Sequence, residues 1–342
     1  FLGRAHTVSF RSRLSTIQRR GLVTYIAPQF QGRENLELSF TALFDESENI
    51  RTFSSRKWEG SVQLAHRWTR SKTMFYRFTY RRVSIDQNTL KIRADLIPLL
   101  SQPVRVGIPS VTYVDDRRDN PTDPRKGTYN SVDLGVASKI FGSQADYSRL
   151  LARNSTYHPV GKKLILARTL LFGYQQNLTT NPDLPVDEQI PLSERFWAGG
   201  ASTHRGFAEN QAGPRDLVTG FPLGGAALLV FGTEVRFPLV GDNVGGVLFH
   251  DAGNVYSRIE NMSFRVNQHG DTDFDYMVHA AGLGIRVRTP IGPFRVDFAY
   301  SPNTPRFVGC KGTREELLYG ACEAVPQRLS HFQFHFSLGQ TF

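Results

Sequence analysis

Apolar and polar residues alternate with a period of two along most of this chain. Leu36, Leu38, Phe40, Ala42 and Phe44 are separated by Glu37, Ser39 and Thr41, and Met74, Tyr76, Phe78 and Tyr80 by Arg77, Thr79 and Arg81. Near the other end, Ala281, Leu283, Ile285 and Val287 alternate with Gly282, Gly284, Arg286 and Arg288, and Phe294, Val296, Phe298 and Tyr300 with Arg295, Asp297 and Ala299. Successive side chains on a strand point to opposite faces, so each segment predicts a strand with one greasy face and one polar or very small face.

The pattern predicts about fourteen strands, near 4–14, 22–30, 36–46, 58–69, 74–86, 103–118, 128–141, 145–159, 164–177, 226–239, 245–257, 277–289, 294–301 and 331–342. They run about 9 to 14 residues, longer than the roughly 5 or 6 of a globular strand and matched to the ~9–11 tilted residues that cross a bilayer. A sandwich would close its apolar faces against each other; a membrane barrel turns them to lipid and lines its lumen with the charged ones. The connections separate the two. Thr289 to Pro293, Gly241 to Asn243, Gly161 to Lys163 and Asn120 to Gly127 are tight, whereas Ser257 to Tyr276, Asn177 to Gly225 and Pro302 to Ser330 are long. Short turns at one end and long loops at the other are the mark of an outer-membrane barrel. The predicted fold is therefore all-β, a transmembrane antiparallel β-barrel whose closure leaves no open edge.

Composition removes other classes. The 40% hydrophobic content lies below the roughly 45–50% of soluble domains, while 12% aromatic residues is too rich for a disordered chain. A spanning helix needs ~20 consecutive apolar residues, but the longest uncharged stretch, Leu217 to Thr233, is interrupted by Gly220, Pro222, Gly224, Gly225 and Gly232. No Pro/Ser-rich linker divides the chain, so residues 1–342 read as one barrel domain containing a long loop at 178–225. The formal charge of +10 is spread along strands instead of clustering on one face, which excludes a nucleic-acid partner. Arg77, Arg81, Arg286, Arg288 and Arg295 read as lumenal charge, and other basic residues as contacts to outer-membrane lipids. Phe1-Leu2-Gly3-Arg4 has neither an initiator Met nor a signal-peptide pattern, so the chain is expected to begin inside a longer protein.

Two segments carry more than alternation. The segment His331 to Phe342 places Phe332, Phe334, Phe336 and Leu338 on one face, followed by Gly339 and a last Phe342, and reads as a terminal-strand assembly signal. Within the long loop, Phe196-Trp197-Ala198-Gly199-Gly200-Ala201-Ser202-Thr203-His204-Arg205-Gly206-Phe207 packs glycines around one arginine and several aromatics. A connection this long inside a domain is usually functional or disordered, and this one is too aromatic to be a disordered linker.

The His204-Arg205-Gly206-Phe207 core, the strand Phe249-His250-Asp251-Ala252-Gly253 and the Gly339-Gln340-Thr341-Phe342 ending together resemble the outer-membrane insertases of the BamA/TamA superfamily. The resemblance implies a sixteen-stranded barrel, of which two strands and the preceding periplasmic repeats are not in this chain, with the long loop folded into the lumen. It implies that Arg205 pairs with Asp251, with Gly206, Phe207, Phe249 and Gly253 completing the loop-to-barrel tether. His204 departs from the family, which more often has an aliphatic residue there. The implied function is folding and insertion of β-barrel proteins in the outer membrane of a Gram-negative bacterium. The implied partners are unfolded β-barrel clients, membrane lipids, and accessory lipoproteins or an inner-membrane partner. A two-partner-type secretion pore exporting a dedicated protein and a passive diffusion porin are the alternatives.

Cys310 and Cys322, twelve positions apart around one or two predicted helical turns, suggest a disulfide in an oxidising compartment, against two free thiols or a metal pair. His331 and His335 share a strand face without further ligands and read as lumenal filler. The closest approach to a nucleophile elbow, Gly200-Ala201-Ser202-Thr203-His204, lacks the final glycine. No enzyme, metal or cofactor is expected.

Overall fold

The computed structural model describes residues 5–15, 18–92, 95–180, 182–183, 189–241, 243–289, 292–318 and 321–338. Its strands are β1 (Thr7–Leu14), β2 (Gln18–Pro28), β3 (Leu36–Ile50), β4 (Phe53–Arg67), β5 (Lys72–Ile85), β6 (Val104–Asp116), β7 (Gly127–Ala137) and β8 (Tyr147–Val160). They continue as β9 (Leu164–Asn177), β10 (Ala227–Val240), β11 (Val244–Tyr256), β12 (Val278–Thr289), β13 (Gly292–Tyr300), β14 (Arg306–Lys311), β15 (Glu323–Arg328) and β16 (Phe332–Leu338). Two short helices, α1 (Ile97–Leu100) and α2 (Arg314–Leu318), lie in connections. No described helix is long and apolar enough to cross a membrane.

Strands β1 to β13 follow one another in chain order in one fourteen-stranded sheet, with β16 beside β13. The fold is the antiparallel β-barrel the alternation predicts. β3 and β4 run on past the predicted limits at Glu46 and Trp58, through Glu46↔Arg56 and Ser47↔Ser55 to a turn between Ile50 and Phe53. Periodicity ends there because both faces become polar, but the hairpin's backbone ladder does not need an apolar face. The long connection 302–330 holds a second sheet, the β14–β15 hairpin, across which Cys310 and Cys322 are bonded.

The chain forms two compact units, Phe1–Asp115 with Ser131–Leu151 and Tyr174–Arg195, and Asp116–Asn130 with Ala152–Gly173 and Phe196–Phe342. In the first, Val106, Ile108, Ala137 and Tyr147 form a buried apolar cluster, on the face opposite the exposed Tyr76, Phe78, Val111 and Leu134. In the second, Ala227, Leu229, Ala252, Tyr256 and Met277 pack together, and Val247, Phe249 and Ala299 form a further cluster. Leu248, Leu283, Phe298, Phe334 and Phe336 are each 43% or more exposed, as lipid-facing side chains must be.

On β16, Phe332, Phe334 and Phe336 lie on that outward face. Phe336 meets Phe294 edge-on at 4.9 Å and Phe332 stacks on Phe298 at 5.6 Å between ring centres. Leu338 pairs through its backbone with Phe294. Gly339 and Phe342 of the expected assembly signal, and Phe1 to Arg4 at the other end, lie outside the described residues.

Candidate functional site

β11 presents Phe249 and Asp251 to the inner face, between outward Leu248 and the exposed His250. Register places Glu234 of β10 directly beside Phe249, and Gly232 beside Asp251. Arg205 of the long loop enters this corner. Its Nε and backbone N–H donate to Asp251 Oδ2 at 2.8 and 2.9 Å, and Nη2 donates to Oδ1 at 2.7 Å. Nη1 donates to Glu234 Oε1 at 2.7 Å, and Arg236 Nε donates to the other oxygen of Glu234 at 2.8 Å. The guanidinium lies over the Phe249 ring, 3.6 Å from its centre. Arg205 and Asp251 side chains are 7% and 2% exposed, so the bidentate pair is desolvated. Such a pair is favourable only when every donor and acceptor is matched, and here the guanidinium has two carboxylates and an aromatic face.

The neighbours of Arg205 lock the loop in place. His204 is fully buried; its Nδ1 accepts from the Gly206 N–H at 3.1 Å and its Nε2 donates to the Val278 carbonyl at 3.0 Å. Both bonds require the neutral ring with the proton on Nε2. A hydrogen-bonded histidine thus occupies the position where the resemblance implied an aliphatic residue. Phe207 is 0% exposed and meets His204 edge-on at 4.9 Å. At Gly206 a Cβ would come within 2.7 Å of the Ala280 methyl, and at Gly253, with φ +152°, within 2.2 Å of the Leu229 carbonyl oxygen. Both glycines are therefore required by close approach. His335 of β16 bonds the Arg205 carbonyl through Nε2 at 2.8 Å, so the residue read as filler ties the last strand to the loop.

Burial holds the His204 imidazole below its ordinary 6.5, against the opposing pull of Asp251. Below about pH 6.5 the unfolded chain binds the extra proton and the folded one resists it, so this residue lowers stability as pH falls. Thermal unfolding of the detergent-solubilised protein is expected to move to lower temperature between about pH 7.5 and pH 5. His204→Leu should flatten that dependence, and an unchanged slope would show that other groups carry it.

A second anchor holds the start of the loop within the first unit. Arg81 of β5 makes a bidentate ion pair with Glu194. The Tyr147 hydroxyl donates to Glu194 Oε2 at 2.6 Å, and Gln175 Nε2 donates to the Glu194 carbonyl at 2.7 Å. Glu194 is 8% exposed as a residue. The sequence pattern placed Arg81 in the lumen without naming a partner, and Glu194, Glu234, Arg236, Tyr147 and Gln175 were missed. Glu234 had a detectable signal, as the lone carboxylate in the apolar run from Ala226 to Val240. Among the described residues no cluster of three or more His, Cys, Asp or Glu side chains could hold a metal ion.

An Omp85 superfamily domain matches residues 1–342. The chain belongs to the Omp85 superfamily. It is 29% identical over 138 residues to a SAM50-like protein of Schizosaccharomyces pombe, covering 38% of this chain and 26% of that protein. It is 25% identical over 195 residues to the outer membrane protein assembly factor BamA of Nitratidesulfovibrio vulgaris, covering 56% and 22%. The chain thus spans about a quarter of the length of these relatives. BamA from Haemophilus ducreyi lacking POTRA domains 1–3 matches 97% of this chain and 64% of its own at TM-score 0.74 and 16% identity. CdiB from Escherichia coli matches 98% and 56% at TM-score 0.57 and 12% identity. This Omp85 chain is accordingly an integral outer-membrane β-barrel of the Gram-negative type.

Proposed function

We propose that this barrel is the membrane domain of an assembly factor that folds β-barrel clients and inserts them into the outer membrane. The observation that carries the reading is the Arg205 cage. A carboxylate pair, an aromatic face and a bond from β16 hold one loop residue on the inner wall, and a passive pore has no use for so costly an anchor in its conduit. The names of the SAM50-like and BamA relatives support the same class. In this role the lumen is occupied by the loop, and the work is done at the wall and the surrounding bilayer. Clients would be unfolded β-barrel chains pairing their strands by edge addition, with accessory lipoproteins or an inner-membrane partner delivering them.

The full-length protein, reconstituted in liposomes, should accelerate folding of an added unfolded eight-stranded outer-membrane barrel well beyond empty liposomes. Asp251→Ala should abolish most of that acceleration. Large, stable single-channel openings with no effect on client folding would replace this reading with the porin; export of a dedicated soluble partner without client insertion would replace it with the secretion pore.

A further inference from the structure

The outward face of the first unit carries a second charged constellation, on the other side of the sheet from the Arg81–Glu194 anchor. One row of cross-strand neighbours reads Phe44, Trp58, Arg82 and Arg105 across β3, β4, β5 and β6. The next row towards the strand ends reads Arg19, Glu46 and Arg56. Trp58 is 59% exposed and packs against Phe44 at 4.5 Å between ring centres. These rows adjoin the 85–104 and 137–147 connections, at the end where the long loops place the cell exterior.

The charges in this belt do not balance. Glu46 is held by Arg56 at 2.8 Å and Arg19 at 3.7 Å. Arg82 and Arg105 stand directly opposite each other on neighbouring strands, and among the described residues neither guanidinium has an ion pair or hydrogen bond. Like charges at opposed positions destabilise a sheet, and no carboxylate in either row is left to relieve this pair. Lys139 in the adjacent connection, 76% exposed, adds a further cation that is paired only loosely, at 3.9 Å, with Asp146.

Below the two arginines the same face becomes an apolar depression. The rows Tyr80↔Gly107, Phe78↔Pro109 and Tyr76↔Val111 follow in order. Pro109 and Val111 of β6 form a floor between Tyr76 and Phe78 of β5 and Leu134 on the far side, with Phe141 closing the upper end. The Phe141 carbonyl lies so close to Gly107 that a Cβ there would sit 1.9 Å from it, which seats the exposed Ile140 and Phe141 beside Arg105.

A cationic head and an apolar depression farther along the same strands, with the Phe141 segment packed between them, fit one kind of ligand. We propose that Arg82 and Arg105, assisted by Arg56 and Lys139, bind the phosphate groups of an outer-leaflet glycolipid whose acyl chain passes the Phe141 loop and lies in the depression over Pro109 and Val111. Guanidinium forks match phosphate oxygens in paired bonds, and the bound anion removes the Arg82–Arg105 repulsion.

Native mass spectrometry of the full-length protein in mild detergent, titrated with bis-phosphorylated lipid A, tests this. The R82Q/R105Q variant should bind about tenfold or more weakly, the loss expected for removing charge-assisted bonds. R33Q/R70Q, with the same charge removed from exposed turns at the opposite end, should bind as the wild type does. Equal losses in both variants, or none in the first, would overturn the proposal. So would displacement of the glycolipid by equimolar inorganic phosphate, which would assign the site to small anions. The wild-type protein supplies an independent check: lipid A bearing a diazirine on an acyl chain should label residues around Phe78, Pro109 and Leu134. Labelling spread evenly over the outward strands would count against the site.

Discussion

Replacing Asp251 with alanine should destabilise the barrel by about 3–5 kcal/mol, the usual cost of leaving one charge of a buried pair without its partner. Three donors of Arg205 lose their acceptor at once, and the guanidinium keeps only Glu234 and the Phe249 ring. Because Glu234 remains, the lower end of the range is expected. Asp251→Asn preserves the shape of the acceptor and should cost less. Urea unfolding in detergent, followed by the heat-dependent gel shift of the folded barrel, measures both. A double-mutant cycle with Arg205→Ala should be strongly non-additive, since the second truncation removes the stranded charge. Midpoints indistinguishable from wild type would mean that the cage does not hold the loop.

Glu194→Ala is expected to cost about 3 kcal/mol on the same reasoning, because it leaves the Arg81 guanidinium with only Glu59, 3.6 Å away, and the buried Tyr147 hydroxyl without its acceptor. The local consequence is more diagnostic than the global one. Arg195 is 6% exposed, with its Nε bonded to the Ile190 carbonyl, so trypsin should not cut there in the wild type. Loosening Glu194 should expose that bond to cleavage in intact outer-membrane vesicles while the strands stay protected. Glu194 and Asp251 have no bonding partner in common, so their stability effects should add to within about 0.5 kcal/mol. Wild-type protease resistance of Glu194→Ala would reduce the second anchor to an incidental contact.

The sequence carried the β-barrel class, the positions of all fourteen sheet strands, the inward and outward faces, and the Arg205–Asp251 relation through its resemblance. These were legible because period-2 alternation is a local property: each residue's face follows from its neighbours two positions away. Strand ends were less clear where both faces turn polar, as at Glu46 to Arg56, because backbone pairing continues without an apolar signal. The β14–β15 hairpin was hidden for a related reason, since Arg306 to Lys311 and Glu323 to Arg328 pair outside the membrane and need no greasy face.

The partners of the buried charges are another matter. Arg205 meets Asp251 across 46 positions, Arg81 meets Glu194 across 113, and His335 reaches the Arg205 carbonyl across 130. Nothing in local alternation distinguishes Glu194 or Glu234 from a solvated carboxylate, and the stacking of Arg82 beside Arg105 depends on the register of β5 on β6. Only the tertiary structure decides these, because an ion pair is specified by which strands become neighbours and where a loop re-enters, and the energy that selects the partner exists only once both charges have left water.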